Sequence, residues 1–326
     1  MEKIWLKQYP AGVPAEIDVN QYPSLVALLD DSFRRFADRM AYKFMGKAIT
    51  FRQVDDASRA LAAWLQAQGY AKGDRVAVMM PNVPQYPVAV AAILRAGFVV
   101  VNVNPLYTPR ELEHQLKDSG AKAILIVENF ASTLQKVMAS VPTKTVVLTA
   151  LGDMLGFPKS TIVNYVVRKV KKMVPAFELP GAIRFNDVIA QGRGKTFTPA
   201  QVGPDDIAVL QYTGGTTGVS KGAVLLHRNL VANILQSEAW YQPALKKIPA
   251  GEQVVTICAL PIYHIFGFNT NMMLAMRMGG ANILIANPRD LPGMFKQLRG
   301  EKFHSFPAVN TLFNAMANHS EFSSVD

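Results

Sequence analysis

Between residues 212 and 222 the chain gathers side chains suited to holding an anion. Gly214, Gly215 and Gly218 are interleaved with Thr213, Thr216 and Thr217, Ser220 follows, and Lys221 stands before Gly222. Glycines let backbone approach an anion closely and turn successive N–H groups toward it, the hydroxyls add donors, and the lysine adds a mobile positive charge. A triphosphate is the anion this inventory suits. A Walker loop would set its lysine after a glycine and before Ser or Thr, whereas here Ser220 precedes Lys221 and Gly222 follows it. The spacing is not that of a dinucleotide fingerprint either. A ligand-free Gly–Thr turn is the plain alternative, but it leaves the lysine and the clustered hydroxyls without a purpose. A second candidate is His264, which follows an apolar run in Pro261-Ile262-Tyr263-His264. In α/β sheets such a position lies beyond a strand's carboxyl end, where ligands bind. Phe266, Phe268, Met272, Met273, Phe306 and Val309 could line an apolar cleft if they face one space, although that spacing equally suits an ordinary core.

These residues need a scaffold, and the chain has the alternation that builds one. Thr50 and Gln53 form a capping-box pattern that opens a helix closed near Gly69, and a strand is expected over 75–80. A helix over 84–96 is followed by the continuous apolar run 98–103, the pattern of a strand buried on both faces. Thr108, Pro109 and Glu111 start another helix, then come a strand over 123–127, a helix over 130–139 and a strand over 145–149. Residues 192–204 have little periodicity and resemble a connection between lobes. Beyond them strands are expected over 207–213, 254–260 and 282–286, with helices over 228–240, 266–278 and 309–318. Strands alternating with helices imply parallel strands joined by right-handed crossovers, hence an α/β fold of two open, mostly parallel sheets flanked by helices. The expected division is a first lobe over 1–195, which includes an N-terminal extension, and a second lobe over 205–326 carrying the Gly–Thr loop.

Composition sets the outer bounds. With 326 residues, half of them hydrophobic, the chain can bury a sizeable core. Its net charge of +10 is compatible with nucleic acid, an anionic membrane or polyanionic small molecules. The lone cysteine, Cys258, sits in an apolar run and is expected as a buried thiol, so no disulfide framework is implied and a reducing compartment is. No apolar stretch approaches the ~20 residues a spanning helix needs, and the expected location is the cytoplasm.

The loop from Tyr212 to Ala223 resembles the phosphate-binding signature of the adenylate-forming superfamily, which holds acyl-CoA synthetases, luciferases and nonribosomal adenylation domains. The runs NPLYTPREL at 104–112, LLHRN at 225–229, LPIYHIF at 260–266, NPRD at 287–290 and VNTLF at 309–313 together resemble a bacterial long-chain-fatty-acid CoA ligase. The resemblance implies the N-terminal domain of the acyl-CoA synthetase-like fold, joining a carboxylate to AMP with release of pyrophosphate and then passing the acyl group to CoA. It further implies that Tyr212, Thr213, Gly214, Gly215, Thr216, Thr217, Gly218 and Lys221 bind ATP, with Thr217 near Mg²⁺. Lys221 and His264 take the catalytic positions, His264 as a positioning group, and His264, Phe266, Phe268 and Val309 meet the acyl substrate. His227 is expected as hydrogen-bonded support for the segment after the loop.

Lys159 to Pro175, with Ile162, Val163, Val166, Val167, Val170, Met173 and Val174 among Arg168, Lys169, Lys171 and Lys172, has the pattern of a basic amphipathic helix. Such a helix can lie on an anionic membrane at its inner face, or pack its apolar stripe on its own sheet. The expected partners are therefore fatty acid, ATP and CoA, an anionic membrane through 159–175, and a second copy of the chain as a homodimer, with no nucleic acid. Two departures from the family pattern matter. Ser305-Phe306-Pro307-Ala308 lacks the glycine expected of close relatives, which leaves acyl length open. The family's Tyr-Gly-x-Thr-Glu stretch, its ribose-binding aspartate and its C-terminal domain with a lysine are not in this chain. The fold is thus expected to be incomplete at its C-terminal side and the chain alone not competent. Another carboxylate as substrate, or a non-catalytic nucleotide- or membrane-binding fragment, are the alternatives.

Overall fold

A computed structural model describes residues 2–213 and 219–324. The helices and strands of the first half are α1 (Leu25–Arg35), β1 (Met40–Phe44), β2 (Lys47–Thr50), α2 (Phe51–Gln66), β3 (Arg75–Met79), α3 (Gln85–Arg95) and β4 (Val99–Asn102). Next come α4 (Pro109–Ser119), β5 (Ala123–Val127), α5 (Ala131–Gln135), β6 (Thr145–Thr149), α6 (Lys159–Tyr165), β7 (Ile183–Arg184) and α7 (Phe185–Arg193). The remainder holds β8 (Ile207–Thr213), β9 (Lys221–Leu226), α8 (His227–Leu245), β10 (Val255–Cys258), α9 (Ile265–Gly267), α10 (Leu274–Met278), β11 (Ala281–Leu284), α11 (Leu291–Leu298) and α12 (Asn310–Ala317). Both capping boxes form as the sequence predicts: Gln53 accepts from the Thr50 N–H at 2.9 Å and Glu111 from the Thr108 N–H at 2.8 Å.

Seven strands make one sheet in the order β7-β6-β5-β3-β4-β8-β9, parallel except for the β8–β9 hairpin. Four make the other, β10-β11-β1-β2, with only β1–β2 antiparallel. The α/β class with mostly parallel sheets is therefore as expected. The sheets do not follow the chain's division at 195–205, however, because β8 pairs with β4 and β1 pairs with β11.

Alternation along each strand distributes the core into layers. Val76 and Val78 on β3 join Tyr42, Phe44, Cys258 and Leu284 of the other sheet in a central core filled by α1, α2, α3 and α8. Ala77 and Met79 point the other way, onto Leu112 and Leu116 of α4. Ile257 and Ile283 of the second sheet likewise turn outward onto Met294 and Phe295 of α11. Strands covered on both faces must be apolar at every position, which explains the unbroken hydrophobic runs.

Cys258 is buried, and loss of hydration raises its thiol pKa well above the ordinary range, so it is a neutral core group. The 159–175 segment corrects the expectation of one amphipathic helix. After α6 the chain makes a π-helical turn over Val166–Val170, which adds a residue to the turn and breaks the 3.6-residue stripe. Arg168 turns inward and forms two hydrogen bonds to the buried Glu128, at 2.6 and 2.9 Å, and Arg184 adds a third at 2.7 Å. The apolar residues divide accordingly: Val167 is buried, whereas Ile162, Tyr165, Val170 and Met173 are exposed.

Inside the central core Arg95 ties three helices together. Its guanidinium, 1% exposed, pairs with Asp30 of α1 and with Asp55 of α2 at 2.6 Å, donates to Ser58 Oγ at 2.6 Å, and lies over the Phe33 ring. A buried charge so fully bonded leaves its partners uncompensated when removed. Arg95→Met is expected to lower unfolding free energy by about 3 kcal/mol, measured by chemical denaturation; an unchanged midpoint would contradict this role.

Candidate functional site

The Gly–Thr run lies in sequence between two antiparallel strands, β8 and β9. Thr213, the last residue of β8, lies opposite Lys221, the first of β9, in antiparallel register. Gly214, Gly215, Thr216, Thr217 and Gly218 lie outside the described residues. The strand β9 is not anticipated by the sequence reading, where Lys221 and Gly222 belong to the loop. Tyr212 supports the hairpin from beneath: a Cβ on Gly222 would stand 2.9 Å from its ring. Its hydroxyl donates to Asp118 Oδ2 of α4 at 2.5 Å, and burial together with that carboxylate keeps the phenol protonated far above neutral pH.

A cavity of about 830 Å³ opens beyond the carboxyl ends of β4, β8 and β10, with Asn102, Gln211, Tyr212, Thr213 and His264 in its wall. The opposite wall comes from α4 and the turn before it, through Tyr107, Arg110 and His114. His114 Nε2 donates to the Ser220 carbonyl at 2.9 Å, and Tyr107 shares the cavity wall with Ser220. Ser220, just before β9, is thus latched to α4, with Arg110 in the same cavity wall.

Across the cavity His264 caps α9, its Nδ1 accepting the Phe266 N–H at 3.3 Å. With Nδ1 an acceptor, neutral His264 carries its proton on Nε2 and is a donor there, suited to a carboxylate or phosphate oxygen. A relay of buried amides reaches the neighbouring residue: Tyr86 Oη donates to Asn102 Oδ1 at 2.5 Å and Asn102 Nδ2 to Gln211 Oε1 at 2.9 Å. Gln211 Nε2 then donates to the Tyr263 carbonyl at 3.2 Å. Tyr263 also borders a second cavity of about 420 Å³, mainly apolar, walled by Pro105, Leu106, Phe130, Leu151, Met173 and Ile285.

The structure therefore brings Tyr212, Thr213 and His264 to one cavity, with Lys221 paired to Thr213 at its hairpin. It does not bring Phe266, Phe268 and Val309 there. Phe268 is wholly buried in the central core, and Phe266 and Val309 are both exposed. The sequence reading missed Tyr107, Arg110 and His114 as site residues. Arg110 and His114 are four apart behind a recognised capping box, so a shared helix face was available as a signal. Among the described residues no group of three or more His, Cys, Asp or Glu side chains could hold a metal, and Thr217, the expected Mg²⁺ contact, lies outside them.

The family profile described as AMP-binding enzyme matches residues 29–326. The chain belongs to this family. Curated relatives include the long-chain-fatty-acid–CoA ligase of Yersinia pestis, 53% identical over all of this chain and 58% of its own length. The ligase of the same name from Haemophilus influenzae is 48% identical over the same shares. The chain thus spans somewhat over half the length of these relatives. The crystal structure of the anthranilate CoA ligase AuaEII with anthranoyl-AMP shares the fold, with a TM-score of 0.78 at 20% identity, covering 95% of this chain and 55% of that one.

Within this AMP-binding domain His227 is structural support, as expected from its place after the loop. It is 1% exposed at the start of α8, and its Nδ1 accepts the Leu25 N–H at 3.1 Å, joining the hairpin segment to α1. Loss of hydration, only partly offset by Asp206, lowers its pKa from 6.5 to about 4. The folded state keeps His227 neutral while the unfolded chain takes up a proton below about 6.5. Its contribution is therefore full above that pH and is lost as pH falls from 6.5 toward 4. His227→Asn, which preserves an acceptor for Leu25, is expected to flatten this part of the curve of melting temperature against pH; an identical acid slope would contradict it.

Proposed function

We propose that this chain supplies the ATP-binding part and one wall of the acid site of an AMP-forming ligase that activates a long-chain fatty acid as acyl-AMP and transfers it to CoA. The observation that carries the reading is the hairpin end where Thr213, paired with Lys221, enters the cavity that also holds His264, in a member of the AMP-binding enzyme family 53% identical to a long-chain-fatty-acid–CoA ligase over all of this chain and 58% of that relative. A carboxylate is a poor electrophile, and a mixed anhydride with phosphate supplies the missing leaving group. In the first step a carboxylate oxygen attacks the α-phosphorus while the bond to pyrophosphate breaks. In the second the CoA sulfur attacks the acyl carbon and AMP departs.

The residues contribute positioning and charge neutralisation rather than covalent chemistry. Thr213, the loop residues 214–218 and Lys221 grip the β- and γ-phosphates, Arg110 adds positive charge at the rim, and His264 donates from Nε2 to the reacting carboxylate. Mg²⁺, where present, is carried chiefly by the phosphates, as is usual for this ion. A long acyl chain is favoured by apolar burial, at ~0.8 kcal/mol for each methylene.

Contact with an anionic membrane is the second part of the proposal. Phe157, Ile162, Tyr165, Val170 and Met173 are exposed beside Lys169, Lys171 and Lys172, an arrangement that joins apolar insertion to headgroup attraction. Among the described residues no helix is long and apolar enough to cross a membrane.

In the longer protein carrying this chain, long-chain fatty acid is expected to drive ATP–pyrophosphate exchange, and Lys221→Ala to reduce it at least ~100-fold. Exchange with an aryl acid or amino acid but not with a long-chain acid would overturn the substrate assignment. Replacing Lys169, Lys171 and Lys172 by Glu, with Arg168 left in place to hold Glu128, is expected to weaken cosedimentation with phosphatidylglycerol vesicles at low salt at least ~fivefold. Unaltered cosedimentation would remove the membrane contact from the proposal.

A further inference from the structure

The turn that carries Tyr263 and His264 is held mainly by a residue that is not part of it. Between β10 and α9 the chain runs through Ala259, Leu260, Pro261 and Ile262, largely inside the molecule, and Pro261 has no N–H to give. The turn lies so close to α9 that a Cβ on Gly267 would stand 2.3 Å from the Pro261 carbonyl oxygen. Strand pairing ends at Cys258, whose carbonyl accepts the Ile285 N–H at 3.1 Å, so the buried backbone groups beyond it need other partners. Asn82, just beyond β3 of the other sheet and 3% exposed, provides them. Its Nδ2 donates to the carbonyls of Cys258 and Leu260, each at 2.9 Å, and its Oδ1 accepts the Ile262 N–H at 2.9 Å.

One amide side chain therefore satisfies three backbone groups spread over five residues, and it reaches them from a different sheet. Among the described residues, the other polar side chain of the large sheet that bonds this turn is Gln211, whose bond to the Tyr263 carbonyl is longer, at 3.2 Å. Asn82 is absent from the wall of the larger, polar cavity and belongs to the wall of the apolar one. Toward the polar cavity its effect passes through the turn, which ends in Tyr263 and His264.

We propose that Asn82 is a positioning residue for the acid-binding side of this site, fixing the placement of Tyr263 and His264 while leaving the phosphate grip at Thr213 and Lys221 untouched. The role in acid binding rests on the function proposed above; the clamp itself does not. No isosteric apolar residue could serve, because the three bonds need two donor hydrogens and one acceptor on one side chain, which an asparagine has and an aspartate or leucine lacks.

The test has two parts. On this chain, hydrogen–deuterium exchange of Asn82→Ala is expected to speed the Ile262 amide at least tenfold, with β3 and β11 amides within twofold of the wild type. In the longer protein, Asn82→Ala is expected to raise KM for the carboxylic acid at least tenfold, with KM for ATP within twofold. A merely structural residue would instead reduce the active fraction and leave both KM values alone. If Asn82→Ala does not fold, Asn82→Ser, which keeps one donor, carries the same comparison with an expected threefold change. An unchanged Ile262 amide, a loss of protection throughout the chain, or equal changes in the two KM values would each overturn the proposal. Should the wild type turn over no acid, the function proposed above fails, and the exchange pattern alone decides the clamp.

Discussion

Every strand that ends inside a protein strands backbone groups that must find partners, and the ends of β4, β8 and β10 are organised by that requirement. Neutral amide side chains meet it almost alone. Gln115 donates to the Asn102 carbonyl, Asn102 to Gln211, Gln211 to Tyr263, Asn271 to the Ile257 carbonyl and Asn282 to that of Asn271. An amide offers a donor and an acceptor at once and adds no charge. The scaffold is thereby held by neutral groups, with the side-chain oxygens of Gln115, Asn271 and Asn282 left without a hydrogen-bond partner, and the charged side chains in the cavity wall, Arg110 and Glu111, come from α4.

The layering follows from the same economy of surfaces. Helices α1, α2, α3 and α8 between two sheets bury both faces of each helix pair and the inner faces of eleven strands at once, while α4 and α11 cover the outer faces. Because β1 and β2 complete the sheet of β10 and β11, residues near the start of the chain help set the turn that carries His264. Arg95, joined to Asp30 and Asp55, fixes the helices that space the two sheets.

Much of this was legible before any coordinates. Thr50 with Gln53 and Thr108 with Glu111 announce their helices because a capping box is a local device, and 98–103 and 123–127 announce buried strands because both faces demand apolar residues. What failed was non-local. The β1–β2 hairpin, with Lys43 and Lys47, lacks the apolar signature of a central strand, and Lys221-Gly222-Ala223 looks like loop until β8 is available to pair with it. Periodicity also could not say which apolar residues of 159–175 face inward, since that is decided by the buried Glu128, distant in sequence. The site divides in the same way: Thr213, Lys221 and His264 stand in recognisable runs, but the roles of Tyr107, His114 and Gln211 exist only through partners brought together by folding.

Tyr263 is the wall between the polar cavity and the apolar one. A ligand that shifted this side chain in one space would change the shape of the other and so link the two occupancies. Such linkage is reciprocal: whatever factor filling the apolar cavity applies to affinity in the polar one, filling the polar cavity applies in return. A single shared side chain is thus a route by which two neighbouring compartments would act as one unit, without any movement of the sheets.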